Sequence, residues 1–228
     1  MNNLLIIEIF VGSIVILCSL TIAIYIRPKK YTPSYIKNFY IYPLTALFIS
    51  FTTIINMLIY RIPKFSYNIL VNLFFTIHLI FWYFFFVNYF DNHKTKSLVK
   101  KIFFVTVVST VTVITTNKFE FTNYKLGAIS DLNFALYCLL YFISLFRNEP
   151  IRKITEDPSF WIITGLFFYS TFSLPLFPIF DYFRNNLLLQ VSESVVMVIN
   201  LLIIIMHLFF IKGCLCLTRQ HKVSSSLY

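Results

Sequence analysis

Seven apolar stretches, each about 20 residues long, run along this chain, and short gaps between them hold most of its charged residues. A helix of about 20 residues is long enough to cross the hydrocarbon core of a bilayer. Inside lipid every backbone polar group needs a partner in the protein, so each stretch is forced into a helix. We therefore predict an all-α, polytopic membrane protein. The predicted spans are 3–26, 38–60, 68–90, 99–117, 127–146, 160–180 and 188–211.

Composition argues against a soluble fold. Hydrophobic residues make up 58% of the 228-residue chain and charged residues only 12%, about half the share that soluble domains carry. The net charge of +10 could indicate a nucleic-acid partner, but nucleic-acid sites are basic patches on soluble folds. Here the bases lie in gaps between apolar runs. We therefore expect the lipid bilayer as the partner, and no nucleic acid.

The fourth span, 99–117, is the weakest of the seven. Its segment FFVTVVSTVTVITT is rich in β-branched residues, which favour strands in water. In lipid a lone strand would leave its backbone unpaired, and threonine hydroxyls can bond to helix carbonyls instead. We therefore count it as a helix.

The basic residues orient the predicted spans, because Lys and Arg collect in cytoplasmic loops. Seven spans with the N-terminus outside place 14 of the 19 bases inside and 5 outside, whereas omitting the fourth span gives 11 and 8. We predict an outer N-terminus and an inner C-terminus, with one domain at 1–212 and a short cytoplasmic tail at 213–228. The first stretch has no base before Arg27, so we expect a spanning helix there and no cleavable signal.

A charged interruption at 147–159 is predicted to be the third cytoplasmic loop. Asp157 is placed to cap the next helix, and Pro158 suits a first helical turn. Phe160 and Trp161 would then lie at the headgroup level, where aromatic rings are favoured. The basic residues of this loop are either charges that only set topology or a contact for a cytoplasmic partner; they are Arg147, Arg152 and Lys153.

Ionisable side chains inside a span are costly and are candidates for function. The predicted topology places three carboxylates near the outer surface, with a histidine deeper in the same half. They would form an outward-facing pocket for a cationic or hydroxylated ligand, or a proton sensor. The candidate ligand-binding residues are Glu8, Asn72, His78, Asp131 and Glu193. Two alternatives stay open: the carboxylates lie among the headgroups, and His78 is an internally bonded histidine. We interpret His207 as an interfacial anchor.

Sequence patterns for catalysis are missing. The last span has no lysine for retinal, no His-Glu-x-x-His or phosphate-binding glycine loop occurs, and the four cysteines have no metal-ligand spacing. We therefore expect no enzyme activity, no cofactor and no metal. Small sugar uniporters carry Pro-Gln pairs, and this chain lacks them, so it does not match that class of transporter.

Pro175 and Pro178 would bend the sixth span, either as a hinge or as a static kink.

The segment DPSFWIITGLFFY supplies the most specific resemblance, through Pro158, Phe160, Trp161, Gly165 and Tyr169. Together with YNILVNLFFTIHLIFWYFFFVNYF and the last helix, it resembles a family of small, uncharacterised seven-helix membrane proteins of Bacteroidota. An acidic position in that family's fifth helix corresponds to Asp131. The run TFSLPLFPIF departs from the family pattern in the sixth helix.

Members of that family are often encoded beside sensor histidine kinases. The resemblance therefore implies a non-enzymatic sensor or input component of two-component signalling, in the bacterial inner membrane, with a cytoplasmic histidine kinase as partner. The alternatives are a small-solute transporter and a structural subunit of a membrane complex.

Overall fold

The computed structural model describes residues 3–26, 33–59, 64–116, 123–147, 154–185 and 189–225. Within these ranges the chain is almost entirely helical and contains no strand, which confirms the all-α prediction. A single 3-10 turn, Ile154–Glu156, precedes α7. The α-helices are α1 (Asn3–Ile26), α2 (Ser34–Lys37), α3 (Ile41–Ile59), α4 (Lys64–Tyr89), α5 (His93–Thr116), α6 (Asn123–Arg147), α7 (Pro158–Asn185) and α8 (Leu189–Ser225).

Five helices in the described part of the chain are long and apolar enough to cross a membrane, and they correspond to the third to seventh predicted spans. Their apolar segments are Val71–Tyr89, His93–Thr116, Tyr124–Arg147, Pro158–Phe180 and Ser194–Thr218, and Phe10–Ile26 is a shorter apolar helical segment. Large apolar side chains cover the outside of the bundle, including Phe104 and Phe146, which are 69% and 82% exposed. An apolar exterior of this kind fits a helical membrane protein with lipid as its solvent.

The weak fourth stretch is helical, as predicted. It forms α5, and threonine hydroxyls on it turn back to carbonyls of the same helix: Thr112 to Val108 at 2.9 Å and Thr115 to Val111 at 3.0 Å. These bonds satisfy the hydroxyls without a partner helix, which makes a threonine-rich helix tolerable in an apolar solvent.

α8 is central to the packing of the bundle. It lies against α1 and α7, α7 packs on α6, and α6 contacts α4 and α5, while α3 bridges α1 and α4. The core between them is aromatic: Trp82 is fully buried, and the rings of Phe39, Tyr42 and Phe85 surround it with centroids 5.1–6.4 Å away. Edge-to-face contacts of this kind add to the energy of burial.

Two glycines allow α7 and α8 to approach closely. A Cβ atom at Gly165 would lie 2.6 Å from the Cβ of Phe209 and 3.1 Å from the carbonyl oxygen of Met206. A Cβ atom at Gly213 would lie 2.8 Å from the carbonyl oxygen of Pro158. Small residues at such contacts are how membrane helices pack tightly without a hydrophobic driving force.

The start of α7 forms as the sequence predicts. The backbone N–H of Ser159 donates to the Oδ1 of Asp157 at 3.0 Å, and Pro158 is the first helical residue. The indole of Trp161 donates to the Thr155 carbonyl at 2.8 Å and thereby ties the 3-10 turn to the helix. The Asp157 cap is confirmed, and α7 remains helical through its two internal prolines as far as Asn185.

Several chain connections lie at the same end of the bundle. Tyr35 of α2 contacts Tyr89 at the end of α4, with ring centroids 5.2 Å apart, and bonds to Ser159 at the start of α7 at 2.8 Å. The ammonium of Lys212 lies 5.5 Å from the Trp161 ring. This end, which we call the α2 end, therefore gathers segments that the predicted topology assigns to the cytoplasmic side.

α8 differs from the predicted last span in length. It has 37 residues and passes 211 without interruption, so the predicted tail at 213–228 is helical as far as Ser225. No proline follows the apolar segment. Gly213 could end a helix, but it lies within α8, against the Pro158 carbonyl of α7. The tail is thus a direct extension of a packed helix.

Candidate functional site

Three aromatic side chains from three helices stack in the interior of the bundle. Tyr42 of α3 lies between His78 of α4 and His207 of α8, with ring centroids 4.2 Å and 5.9 Å away. The Tyr42 hydroxyl donates to the sulfur of Met206 at 3.7 Å. All three rings are buried, and His207 is completely so. We call these residues the His–Tyr–His stack.

Each histidine of the stack is bonded to a hydroxyl on a neighbouring helix. His78 Nε2 lies 2.9 Å from the Oγ1 of Thr45, and His207 Nδ1 lies 2.9 Å from the Oγ of Ser19. These two bonds join α4 to α3 and α8 to α1. The stack and its hydroxyl partners therefore tie together four helices.

Each hydroxyl of these pairs also lies near a carbonyl of its own helix. The Oγ of Ser19 lies 2.8 Å from the Ile16 carbonyl oxygen, and Thr45 lies at donating distance from the carbonyls of Ile41 and Tyr42. Because a hydroxyl carries one hydrogen, it either donates to its carbonyl and accepts from the imidazole, or donates to the imidazole. In either tautomer the Nε2 of His207 is buried without a hydrogen-bond partner among the described residues.

A second polar contact joins α6 to α7. The Ser173 hydroxyl donates to the Oδ2 of Asp131, and the same hydroxyl lies 2.7 Å from the Tyr169 carbonyl oxygen. Asp131 is 1% exposed, so its side chain lies between helices and not on the surface of the bundle. Its depth in the membrane, and with it the headgroup interpretation, stays a prediction. Two residues after Asp131 on α6, buried Asn133 accepts a hydrogen bond at its Oδ1 from the Thr106 hydroxyl of α5 at 3.0 Å.

The predicted ligand-binding set is only partly described. Asn72, His78 and Asp131 are buried, the first two on α4 and the third on α6. The side chains of Glu8 and Glu193 lie outside the described residues, so the outward-facing pocket of three carboxylates remains a prediction. The bonded state of His78 supports the interpretation of an internally satisfied histidine.

The interpretation of His207 as an interfacial anchor is wrong, because its ring is fully buried and bonded to Ser19. Sequence reasoning also missed Tyr42, Thr45 and Ser19 as partners of the histidines. The chain has 15 tyrosines, and nothing in the local sequence distinguishes the one that lies between two histidines. Position along a span gives depth, but the face of the helix decides burial.

The predicted partner-contact residues lie near the α6–α7 connection. Arg147 is exposed at the C-terminal end of α6. Arg152 and Lys153 fall outside the described residues. The contact with a cytoplasmic partner therefore remains a prediction.

Metal binding finds no support in the described part of the chain, where no group of three or more potential ligands comes together. The polar interior is instead a set of paired hydrogen bonds between helices. Such pairs can exchange partners if two helices shift, because the Nε2 of His207 has no hydrogen-bond partner among the described residues and can take a new one.

Comparisons with known proteins identify no relative: no family model, curated protein or solved structure matches the chain. The resemblance to a Bacteroidota membrane family accordingly remains a prediction from the sequence.

Proposed function

We propose that the protein is a non-enzymatic, seven-span component of the bacterial inner membrane that provides sensory input to a cytoplasmic histidine kinase. The observation that supports this function best is the His–Tyr–His stack, which joins four helices through buried hydrogen bonds. Buried polar groups within a membrane are costly, and they commonly mark functional sites. A stack that can re-pair its hydrogen bonds is suited to switching between two bundle arrangements.

The length of α8 supports transmission of such a change. At about 1.5 Å per residue its 37 residues extend about 55 Å, compared with about 30 Å of hydrocarbon. From His207 the same helix continues to Ser225, about 27 Å further. A shift of α8 at the stack would therefore displace the far end of the helix without any flexible joint.

Positive charge supports the choice of partner surface. The exposed Arg147 is at the end of α6, and Lys212 at the α2 end lies over Trp161. The sequence adds Arg219 and Lys222 on the extension of α8. With an inner C-terminus, these positions lie on the cytoplasmic side, where a kinase domain would dock.

Purification of the tagged protein from its native membranes, in mild detergent, tests the proposal. We expect a histidine kinase to co-purify, and we expect its autophosphorylation rate to change with His207→Ala. Leu208→Ala is the matched control because Leu208 is the next residue on the same helix but its side chain is 52% exposed on the outside of the bundle. Absence of any kinase, or an equal rate in both variants, would refute the sensory function.

A small-solute transporter is the second candidate, since the Nε2 of His207 is a buried polar atom that has no hydrogen-bond partner among the described residues and could contact a solute. Flux of solutes into proteoliposomes distinguishes the two functions. Uptake that His207→Ala abolishes and Leu208→Ala retains would favour transport.

A further inference from the structure

A groove opens on the outside of the bundle between α2, the start of α3 and the C-terminal half of α4. Its volume is about 330 Å³. Ile77, Ile80 and Phe84 line its apolar part, and Ser34, Asn38 and Asn88 line its other end. The polar lining is thus collected at the α2 end, and the apolar part extends towards the middle of the bundle.

The groove has the length of one bilayer leaflet. Along α4 it runs from Asn88 to Ile77, which are 11 residues or about 16 Å apart. Half of the hydrocarbon core is about 15 Å thick. An acyl chain lying against Ile80 and Phe84 would therefore span its leaflet, with its polar end beside the two asparagines. Ile80 and Phe84 are 43% and 57% exposed, so the groove is open to lipid.

Charge at the polar end favours an anionic headgroup. Lys37 is exposed on α2, next to Asn38. No acidic residue occurs between Glu8 and Asp91, whereas Arg27, Lys29 and Lys30 precede α2 in the sequence. Two acids lie near this end: Asp91 follows Asn88 by three residues, and Asp157 acts electrostatically on Tyr35. Neither of them lines the groove.

Tyr35 supplies a further hydrogen-bonding group at this end. Burial raises the pKa of its hydroxyl to about 12, and the bond to Ser159 opposes that rise. The phenol therefore remains neutral at physiological pH and can donate a hydrogen bond to an acceptor oxygen. The Asn38 and Asn88 amides and the Tyr35 hydroxyl line the groove, and Lys37 is exposed on the same short helix as Tyr35. Amide, hydroxyl and ammonium groups are donors that bind phosphate oxygens.

We propose that this groove binds one anionic phospholipid, with an acyl chain against Ile77, Ile80 and Phe84 and the phosphate held by Lys37, Asn38 and Asn88. With the predicted topology, the lipid comes from the cytoplasmic leaflet, where anionic headgroups and basic side chains attract each other. The groove shares no residue with the His–Tyr–His stack, but its lining residue Phe81 packs against Tyr42 with ring centroids 5.9 Å apart. The lipid site does not depend on the sensory function.

Native mass spectrometry of the purified, delipidated protein tests the site. The probes are phosphatidylglycerol and phosphatidylcholine with identical acyl chains, and inorganic phosphate alone. We expect one phosphatidylglycerol to be retained about tenfold more tightly than phosphatidylcholine. Equal retention of the two lipids, or retention of phosphate alone, would overturn the proposal.

Variants locate the bound lipid. Ile80→Trp fills the groove, and Leu73→Trp is its matched control because Leu73 lies on α4, is 53% exposed and does not line the groove. Phosphatidylglycerol retention should fall about tenfold with Ile80→Trp and remain unchanged with Leu73→Trp. Lys37→Glu should lower it without changing phosphatidylcholine retention. Equal retention by the two tryptophan variants would place the lipid elsewhere and refute the site.

Discussion

Replacing Gly165 with alanine tests whether α7 and α8 really pack in close contact beside the stack. The added Cβ would lie 2.6 Å from the Cβ of Phe209, on the helix that carries His207. Ordinary carbon contacts are about 3.5–4.0 Å. The two helices would therefore have to separate by about 1 Å at this point, which also displaces the Met206 carbonyl at 3.1 Å.

The cost follows from overpacking, which is about 1–3 kcal/mol for one excess carbon in a well-packed interior. Gly12→Ala provides the matched control. Its Cβ would lie 3.7 Å from Ile204, an ordinary contact, and Gly12 is also within a helix. Both changes gain the same helix propensity, about 1 kcal/mol in water, so the difference between the variants isolates the clash.

Scanning fluorimetry in detergent, with unfolding followed by intrinsic tryptophan emission, measures the difference. For a chain of this size, 1 kcal/mol shifts Tm by about 2–4 °C. We expect Gly165→Ala to melt about 2–12 °C below Gly12→Ala. Equal melting temperatures would refute the close packing of α7 on α8.

The same assay checks three hydrogen bonds. Ser19→Ala removes the partner of a buried histidine and should cost about 0.6–1.7 kcal/mol, whereas Thr21→Ala should cost little because Thr21 is exposed and bonds only to its own helix. Asp157→Ala should cost about 1 kcal/mol through loss of the α7 cap, and Asp157→Asn should retain most of it. Ser173→Ala should cost about 1–3 kcal/mol by leaving the Asp131 carboxyl without this partner. If one of the three alanine variants is as stable as the unchanged protein, the hydrogen bond assigned to that residue is contradicted.

The length of the apolar stretches was enough to predict the helices. The helices follow from the sequence because lipid leaves the backbone no alternative to a helix. The cap at Asp157 follows from its position directly before Pro158, since an aspartate there can accept from the first free backbone N–H groups. The short α2 could not be predicted, since its four residues are held by contacts of Tyr35 with α4 and α7. Contacts between residues far apart in the chain cannot be predicted from the residues next to them in sequence.

The candidate site was only partly predictable. His78 and Asp131 are rare polar residues within spans, so composition identified them. His207 was misinterpreted because its position along α8 suggested the interface, whereas its burial depends on the rotation of α8 against α1 and α3. Gly165 was named from the sequence only as part of a family resemblance. Its close approach to Phe209 is visible only once α7 and α8 are packed together.

Cysteine labelling tests the seven-span topology most directly. In a background without the four native cysteines, Lys94→Cys and a cysteine added after Tyr228 are exposed to a membrane-impermeant maleimide, with Lys125→Cys as the outer control. We expect only Lys125→Cys to react in cells whose outer membrane alone is permeabilised, and all three to react after the inner membrane is opened. Labelling of Lys94→Cys and the C-terminal cysteine on opposite sides would contradict the topology.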